Sequence, residues 1–401
     1  MRLPLLTLCL LSALLIGCSS VRVMPTPTGM DQGGDQGARP AIRADQARTN
    51  EFPPADDDGY RPPARLAVLL PMSGTLAPAA AGVRDGLLAA YFAENRRRPL
   101  IKFYDSQGTG AGAQAALAKA IADGAQLIVG PLTREEVSAI SGQSDTGLPT
   151  IALNRGSRPM SPGGTSFAML PDDEGVAAAN RLVDRGLPTA LVFSNRSDNA
   201  QRAVSAFREA LRKRGGEVLA EISIAADGAD LNAKLATLPA NTPPPKAVFL
   251  AMDAGQARSL AVQLKASALA SLPRISTSQI LSGGSSRADG ELDGIEYPEL
   301  PWLLNQESGL PEAAGLAKTL PSARGPAQRL FAFGADAWKL TAYFERLYND
   351  PSFSIRGATG QLRIDVSGSV QRTLTWAVMS GGRGRPSYEA VRAADAQQPV
   401  H

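Results

Sequence analysis

The feature that most constrains this chain is an alternation beginning at Arg65, where short runs rich in aliphatic and β-branched residues are separated by segments of helical apolar period. The runs are Leu66 to Leu70, Ile101 to Tyr104, Leu127 to Val129, Thr150 to Leu153, Ser166 to Leu170, Thr189 to Phe193, Val218 to Ile224, Ala247 to Leu250 and Arg274 to Thr277. Between them, Ala80, Val83 and Leu87 keep one helical face, as do Val204, Phe207 and Leu211, and Ala257, Leu260 and Leu264. Strands that alternate with helices need crossover connections, which build parallel sheets covered on both faces. The series restarts near Thr189 after a helical stretch from Asp172 to Arg185, and 401 residues exceed one ordinary core. Two similar α/β lobes are predicted, the first over about 65–170 with later crossover segments and the second over about 171–270. Pro298, Pro301 and Pro311 then interrupt the pattern, before an apolar stripe of Leu330, Ala337, Leu340, Phe344 and Leu347. A closing hairpin of Gln361 to Asp365 with Thr373 to Met379 ends the folded unit near 385, and 386–401 reads as a flexible tail.

Several classes of chemistry lack their residues. The single histidine is the last residue, His401, so histidine bases, Ser-His triads and HExxH zinc sites are excluded. No lysine sits in an SxxK motif and no GxSxG occurs, so the usual acyl-transfer nucleophiles are missing too. No metal and no cofactor is expected. Lys+Arg 41 against Asp+Glu 38 gives a net charge of +3 with no basic stripe, which argues against nucleic acid as a partner. Glu135-Glu136 and Asp172-Asp173 open predicted helices, where carboxylates complement the dipole, and Arg96-Arg97-Arg98 and Arg212-Lys213-Arg214 are expected to serve the opposite pole.

The two cysteines, Cys9 and Cys18, both lie in the first twenty residues. Arg2, the apolar run Leu3 to Ile16 and then Leu15-Ile16-Gly17-Cys18 resemble the signal peptide and lipobox of bacterial lipoproteins, and the run is short for a membrane span. The resemblance implies cleavage after residue 17 and acylation of Cys18. Ser19 stands where a retained inner-membrane lipoprotein would carry Asp, which implies the periplasmic face of the outer membrane. From Ser19 to Ala64 apolar residues are few and breakers frequent, as in Pro25-Thr26-Pro27, Pro53-Pro54 and Pro62-Pro63, so 18–64 is expected to be a lipidated disordered tether. Its composition serves equally for a leader with no reaching role.

Leu69-Leu70-Pro71-Met72-Ser73-Gly74, Tyr104-Asp105-Ser106 and Leu127-Ile128-Val129-Gly130-Pro131-Leu132 resemble the first lobe of type I periplasmic binding proteins, which clamp small ligands between two lobes. The later motifs Phe333-Gly334-Ala335-Asp336-Ala337-Trp338-Lys339-Leu340, Gly357-Ala358-Thr359-Gly360-Gln361-Leu362 and Arg372-Thr373-Leu374-Thr375-Trp376 resemble the LppC family. That resemblance spans about residues 65–385. It implies an outer-membrane lipoprotein that binds and activates a class A penicillin-binding protein and has no catalysis of its own. Better-known members carry a helical-repeat domain between lipid and folded unit; residues 19–64 contain no such repeats, and the tether would stand in its place.

The candidate inter-lobe cleft comprises Ser73, Gly74, Asp105, Gly130, Asn154 and Arg155 after first-lobe strands, and Ser194, Asn195 and Asp253 after second-lobe strands, at the carboxyl edge where open α/β sheets bind ligands. Ser73, Thr75, Asp105 and Asp253 are the groups a free amino acid would need. The same residues serve equally as turns and caps in a vestigial cleft. Gly108-Thr109-Gly110-Ala111-Gly112-Ala113 fits either a dinucleotide-binding turn or an ordinary helix start. Besides the regulatory lipoprotein, two readings stay open: a solute-binding lipoprotein for amino acids or small peptides serving an ABC transporter, and an enzyme.

Overall fold

A computed structural model describes residues 53–141, 147–224, 233–234, 236, 244–282 and 287–387. The signal and lipobox, Cys18 included, lie outside them. The first series is β1 (Arg65–Leu70), α1 (Ala77–Ala93), β2 (Leu100–Asp105), α2 (Gly110–Ala122), β3 (Leu127–Val129), α3 (Arg134–Ser141), β4 (Thr150–Ala152) and β5 (Gly164–Ser166). These strands form an all-parallel sheet in the order β2-β1-β3-β4-β5. Along β1, Leu66, Val68 and Leu70 face one apolar layer while Ala67 and Leu69 face another, so both sides of the sheet are covered.

The second series is α4 (Pro171–Asp184), β6 (Thr189–Ser194), α5 (Asp198–Lys213), β7 (Glu217–Ser223), β8 (Ala247–Ala251), α6 (Ala254–Lys265), β9 (Arg274–Ser276) and β10 (Ile295–Glu299). Its parallel strands repeat the order of the first lobe as β7-β6-β8-β9-β10. The chain then gives α7 (Ala313–Thr319) and returns to the first lobe. There α8 (Ala327–Ala342) and α9 (Phe344–Asn349) contribute to the apolar core that β1, β3, β4 and α1 share. A small antiparallel sheet of β11 (Ile355–Arg356), β12 (Gln361–Ile364) and β13 (Val370–Thr373) follows. Finally β14 (Thr375–Ser380) and β15 (Arg383–Pro386) add two antiparallel strands to the edge of the second-lobe sheet.

Four expectations are corrected. The strand expected over Ser166 to Leu170 lies earlier, at β5, and Phe167 beyond it stacks on Phe333 with centroids 4.2 Å apart. Of Thr373 to Met379 only Thr373 pairs back, on Gln361: β12 turns back on β13, and the C-terminal hairpin is β14 with β15. The second lobe therefore runs past 270, taking in β10, β14 and β15, and the ordered fold reaches Ser387, whose N–H donates to Trp376 O at 2.9 Å. Pro298 concealed β10, yet the ladder to β9 covers only Ile295 and Glu296. The proline thus sits where one side of the strand is already unpaired, a position it tolerates.

The tether expected over 18–64 is corrected at its C-terminal end. Residues 53–64 form a strap across the first lobe, with Tyr60 fully buried in its core. The Tyr60 hydroxyl donates to Arg97 O at 2.7 Å, and Arg61 N–H donates to Ala342 O at 2.7 Å. Arg96 and Arg97 follow α1 without serving its dipole. The Arg96 guanidinium lies 3.6 Å over the Tyr60 ring and 2.9 Å from Asp58, and Arg97 pairs with Asp56 at 2.6 Å.

Candidate functional site

The cleft between the lobes encloses about 620 Å³. From the first lobe it is lined by Asn154 and Arg155, just past β4, and by Arg134 at the start of α3. The first turn of α4 contributes Asp172 and Glu174, the second lobe Asn199, Arg202 and Ser278, and α8 its Arg329. A lining this rich in charge would recognise a polar ligand if those charges were free.

Apart from the exposed Arg134, they are spent on one another. Arg329 Nη1 lies 2.6 Å from Glu299 Oε1, at the end of β10, and its Nη2 lies 3.7 Å from Glu174 Oε1. The second lobe holds Glu174 further, for Ser278 N–H donates to Oε2 at 2.8 Å and the Ser278 hydroxyl to Oε1 at 2.7 Å. Arg155 reaches Asp173 at 3.3 Å, and Arg202 reaches Asp172 at 2.5 Å. Because Arg329 and Arg155 belong to the first lobe while their partners belong to the second, these pairs brace the joint. Burial pushes the Glu299 carboxyl up from the usual range, with the Arg329 charge opposing it.

Of the residues expected in the cleft, only Asn154 and Arg155 line it. Asn154 Nδ2 donates to Leu132 O at 3.0 Å and its Oδ1 accepts from Arg155 N–H at 2.9 Å, so it shapes the turn. Asp105 Oδ1 accepts the Met72 and Gln107 N–H groups, each at 2.9 Å, and also bonds Ser73, which fixes the exposed Ser73-Gly74 corner. Gly130 joins Pro131 through a cis peptide, and its N–H donates to Ile151 O at 2.8 Å. Ser194 is buried at the end of β6, accepting from Ile224 N–H through its carbonyl. Asn195 donates to Gln256 Oε1 at 2.8 Å and Asp253 caps α6 by accepting from Gln256 N–H at 3.0 Å. Seven of the nine thus lie outside the cavity lining, Asp105 and Ser194 at strand ends and the others in turns and caps.

Other motifs resolve in the same way. In Gly108 to Ala113, Thr109 caps α2, and a Cβ on Gly112 would fall 2.2 Å from Ser106 O, so close helix packing accounts for the glycine. Thr133 and Glu136 form a reciprocal capping box on α3, at 2.9 and 3.2 Å. Asp172 and Asp173 do occupy the first turn of α4, but their carboxylates serve Arg202 and Arg155. Sequence reasoning missed Glu174, Ser278, Glu299 and Arg329, which are brought together only by the return of α8 to the first lobe; the acidic run at Asp172 was the one local signal.

Two α/β lobes of matching strand order, joined where the chain passes from one to the other and back, define a type I periplasmic-binding-protein-like protein. It is similar in fold to an ABC transporter substrate-binding protein from Sphaerobacter thermophilus, with 18% identity, TM-score 0.60, and coverage of 81% of this chain and 96% of that one. The chain belongs to the LppC family, whose model, described as "LppC putative lipoprotein", matches residues 60–382. It is 25% identical over 352 residues to the penicillin-binding protein activator LpoA of Photobacterium profundum, covering 81% of this chain and 57% of that protein. It is similar in structure to the LpoA C-domain from Haemophilus influenzae, a regulator of PBP1A, with TM-score 0.68, 23% identity, and coverage of 80% of this chain and 99% of that one. The chain spans about half the length of the curated relatives it matches. Among the described residues, no helix is long and apolar enough to cross a membrane.

Proposed function

We propose that this chain is a lipoprotein, acylated at Cys18 and held at the periplasmic face of the outer membrane, whose folded domain binds and activates a class A penicillin-binding protein. The observation that carries the reading is the family match over residues 60–382, together with relatives named as activators of such synthases. The cleft supports a regulator over a solute receptor. A receptor must open and close on its ligand, whereas here Arg329, Glu299, Glu174 and Asp173 tie the lobes together. The domain would act without bond chemistry of its own, by binding the active synthase conformation more tightly than the inactive one. A coupling of about 1–3 kcal/mol, typical of allosteric pairs, corresponds to roughly 5- to 150-fold.

The test adds the purified chain to its cognate class A synthase and follows glycan polymerisation and cross-linking. A saturable increase is expected. A synthase that is indifferent, while an amino acid or short peptide raises the melting temperature of the chain, would establish the transporter-receptor reading in its place.

A further inference from the structure

A second depression, of about 510 Å³, opens on the first lobe between the strap and the helices α8 and α9. Its walls are aromatic. Tyr60 and Tyr343 meet edge to face with centroids 5.6 Å apart, and Trp338 and Phe353 extend the surface. Two cations lining it make no direct ion pair among the described residues. Lys339 is half-buried; its Nζ donates to Ser308 O at 2.6 Å and Arg356 O at 2.9 Å, both neutral carbonyls. Arg346 lies with its guanidinium carbon 4.0 Å from the centroid of the Phe353 ring. The two acids in the lining are committed elsewhere, since Asp58 and Glu94 both pair with Arg96, at 2.9 and 3.0 Å. The depression therefore offers apolar faces beside two cations that make no direct ion pair, with Asp336, Glu307 and Glu94 acting on Lys339 only through space and Asp350 likewise on Arg346.

We infer that this depression is a binding site for a ligand that joins an aromatic or aliphatic body to a carboxylate. The body would replace water over the part-exposed Tyr343 and Phe353, because Tyr60 and Trp338 are buried behind them, and the carboxylate would supply a direct anionic partner for Lys339 and Arg346. A partly desolvated cation gains most from a partner in such a setting, and a few polar groups on an apolar concavity of this volume are the usual composition of a ligand pocket. Burial already pushes the Lys339 ammonium down from its usual range, and an adjacent carboxylate would bring it back up. The inference does not rest on synthase activation, because it is argued from the residues of the pocket alone.

The test titrates the full chain with three probes while following tryptophan fluorescence, which Trp338 reports from the pocket wall. They are N-acetyl-phenylalanine, its neutral amide, and the doubly blocked dipeptide N-acetyl-Phe-Glu-amide. A carboxylate probe should bind saturably and at least about tenfold tighter than the neutral amide, the difference expected of one charge-assisted contact. Binding of the blocked dipeptide as tight as that of the free acid would identify the natural occupant as an internal acidic segment of a protein partner; binding of the free acid alone would identify a chain terminus or a free organic acid. Lys339→Met removes the central cation but also its ties to Ser308 and Arg356, so Arg346→Gln is the deciding variant. It should weaken the carboxylate probe about five- to tenfold with the melting temperature unchanged. Equal affinity for acid and amide, no saturable response, or an Arg346→Gln chain that binds the acid as well as the parent would overturn the inference.

Discussion

Gly86 of α1 and Gly334 of α8 let two helix backbones touch: a Cβ on Gly86 would stand 1.8 Å from Phe331 O, and one on Gly334 would stand 1.9 Å from Val83 O. Neither clash can be relieved by rotating a side chain, because each involves backbone. Gly334→Ala should therefore destabilise the fold by about 1–3 kcal/mol, the cost of overpacking, despite the better helix propensity of alanine. Denaturant unfolding checks this, and an unchanged midpoint would mean the helices can separate without loss.

Two residues beyond that glycine, Asp336 is fully buried and its carboxylate gathers the turn between β11 and β12. It accepts from Ala358 N–H at 2.6 Å, Thr359 N–H at 2.7 Å and the Thr359 hydroxyl at 2.6 Å. Asp336→Asn turns one acceptor into a donor that faces donors, and should cost about 1–3 kcal/mol. Thermal melting of the variant against the parent measures it.

These two residues show what the sequence made legible. The motif around Phe333 to Leu340 was visible as a family resemblance, and the strands flanking α1 were visible as apolar runs. That Gly334 and Asp336 serve packing and a turn was not visible, since both act on partners distant in sequence. Which of the two readings of the candidate cleft residues applies was hidden for the same reason. Asp105 and Asp253 carry ligand-like groups at strand ends, but nearby backbone N–H groups consume them and Ser73 is bonded to Asp105, whereas Glu299 sat in a proline-interrupted stretch and Arg329 at the margin of the stripe that begins at Leu330.

The joint makes a prediction about charge. Arg329→Gln leaves Glu299 buried without its partner, and removing one member of a buried pair costs about 3–5 kcal/mol. Burial already raises the Glu299 carboxyl, and loss of Arg329 raises it further. A group whose folded pKa lies above its unfolded value is least costly when protonated, so the penalty should be larger near pH 8 and shrink as the pH falls toward 5. A penalty independent of pH would show that Glu299 gains another counter-charge.

Asp365 titrates in the opposite sense. Burial alone would raise it, but hydrogen bonds from the Ser367 hydroxyl and N–H, Ser369 N–H and Gln371 Nε2 hold it below the usual carboxylate range. Its contribution is present above the unfolded value of about 4 and is lost as the pH drops through the lower folded value. The stability gap between the parent and Asp365→Asn should therefore be full at pH 6 and close progressively below about pH 4. Melting temperatures across that range test the sign.

The strap yields the simplest comparison. Tyr60→Ala removes a fully buried aromatic side chain and should cost about 3–5 kcal/mol. A chain that starts at Arg65 should accordingly unfold at lower denaturant than one that starts at Pro53, and coincident curves would show the strap to be dispensable.

The path of the chain between lobes also sets an order of events during synthesis. The first-lobe strands are complete at Ser166, yet α8 and α9, which cover one of their faces, begin only at Ala327 and Phe344. While the whole second-lobe parallel series is being made, Val68, Leu70, Val129 and Ile151 have only α1 over them and remain partly open to water or to a chaperone. The second lobe waits as well, because β14 and β15 begin only at Thr375 and Arg383. Neither half can therefore finish alone on a growing polypeptide, and a nascent chain halted before Ala327 should be cut by proteases more readily than the finished one.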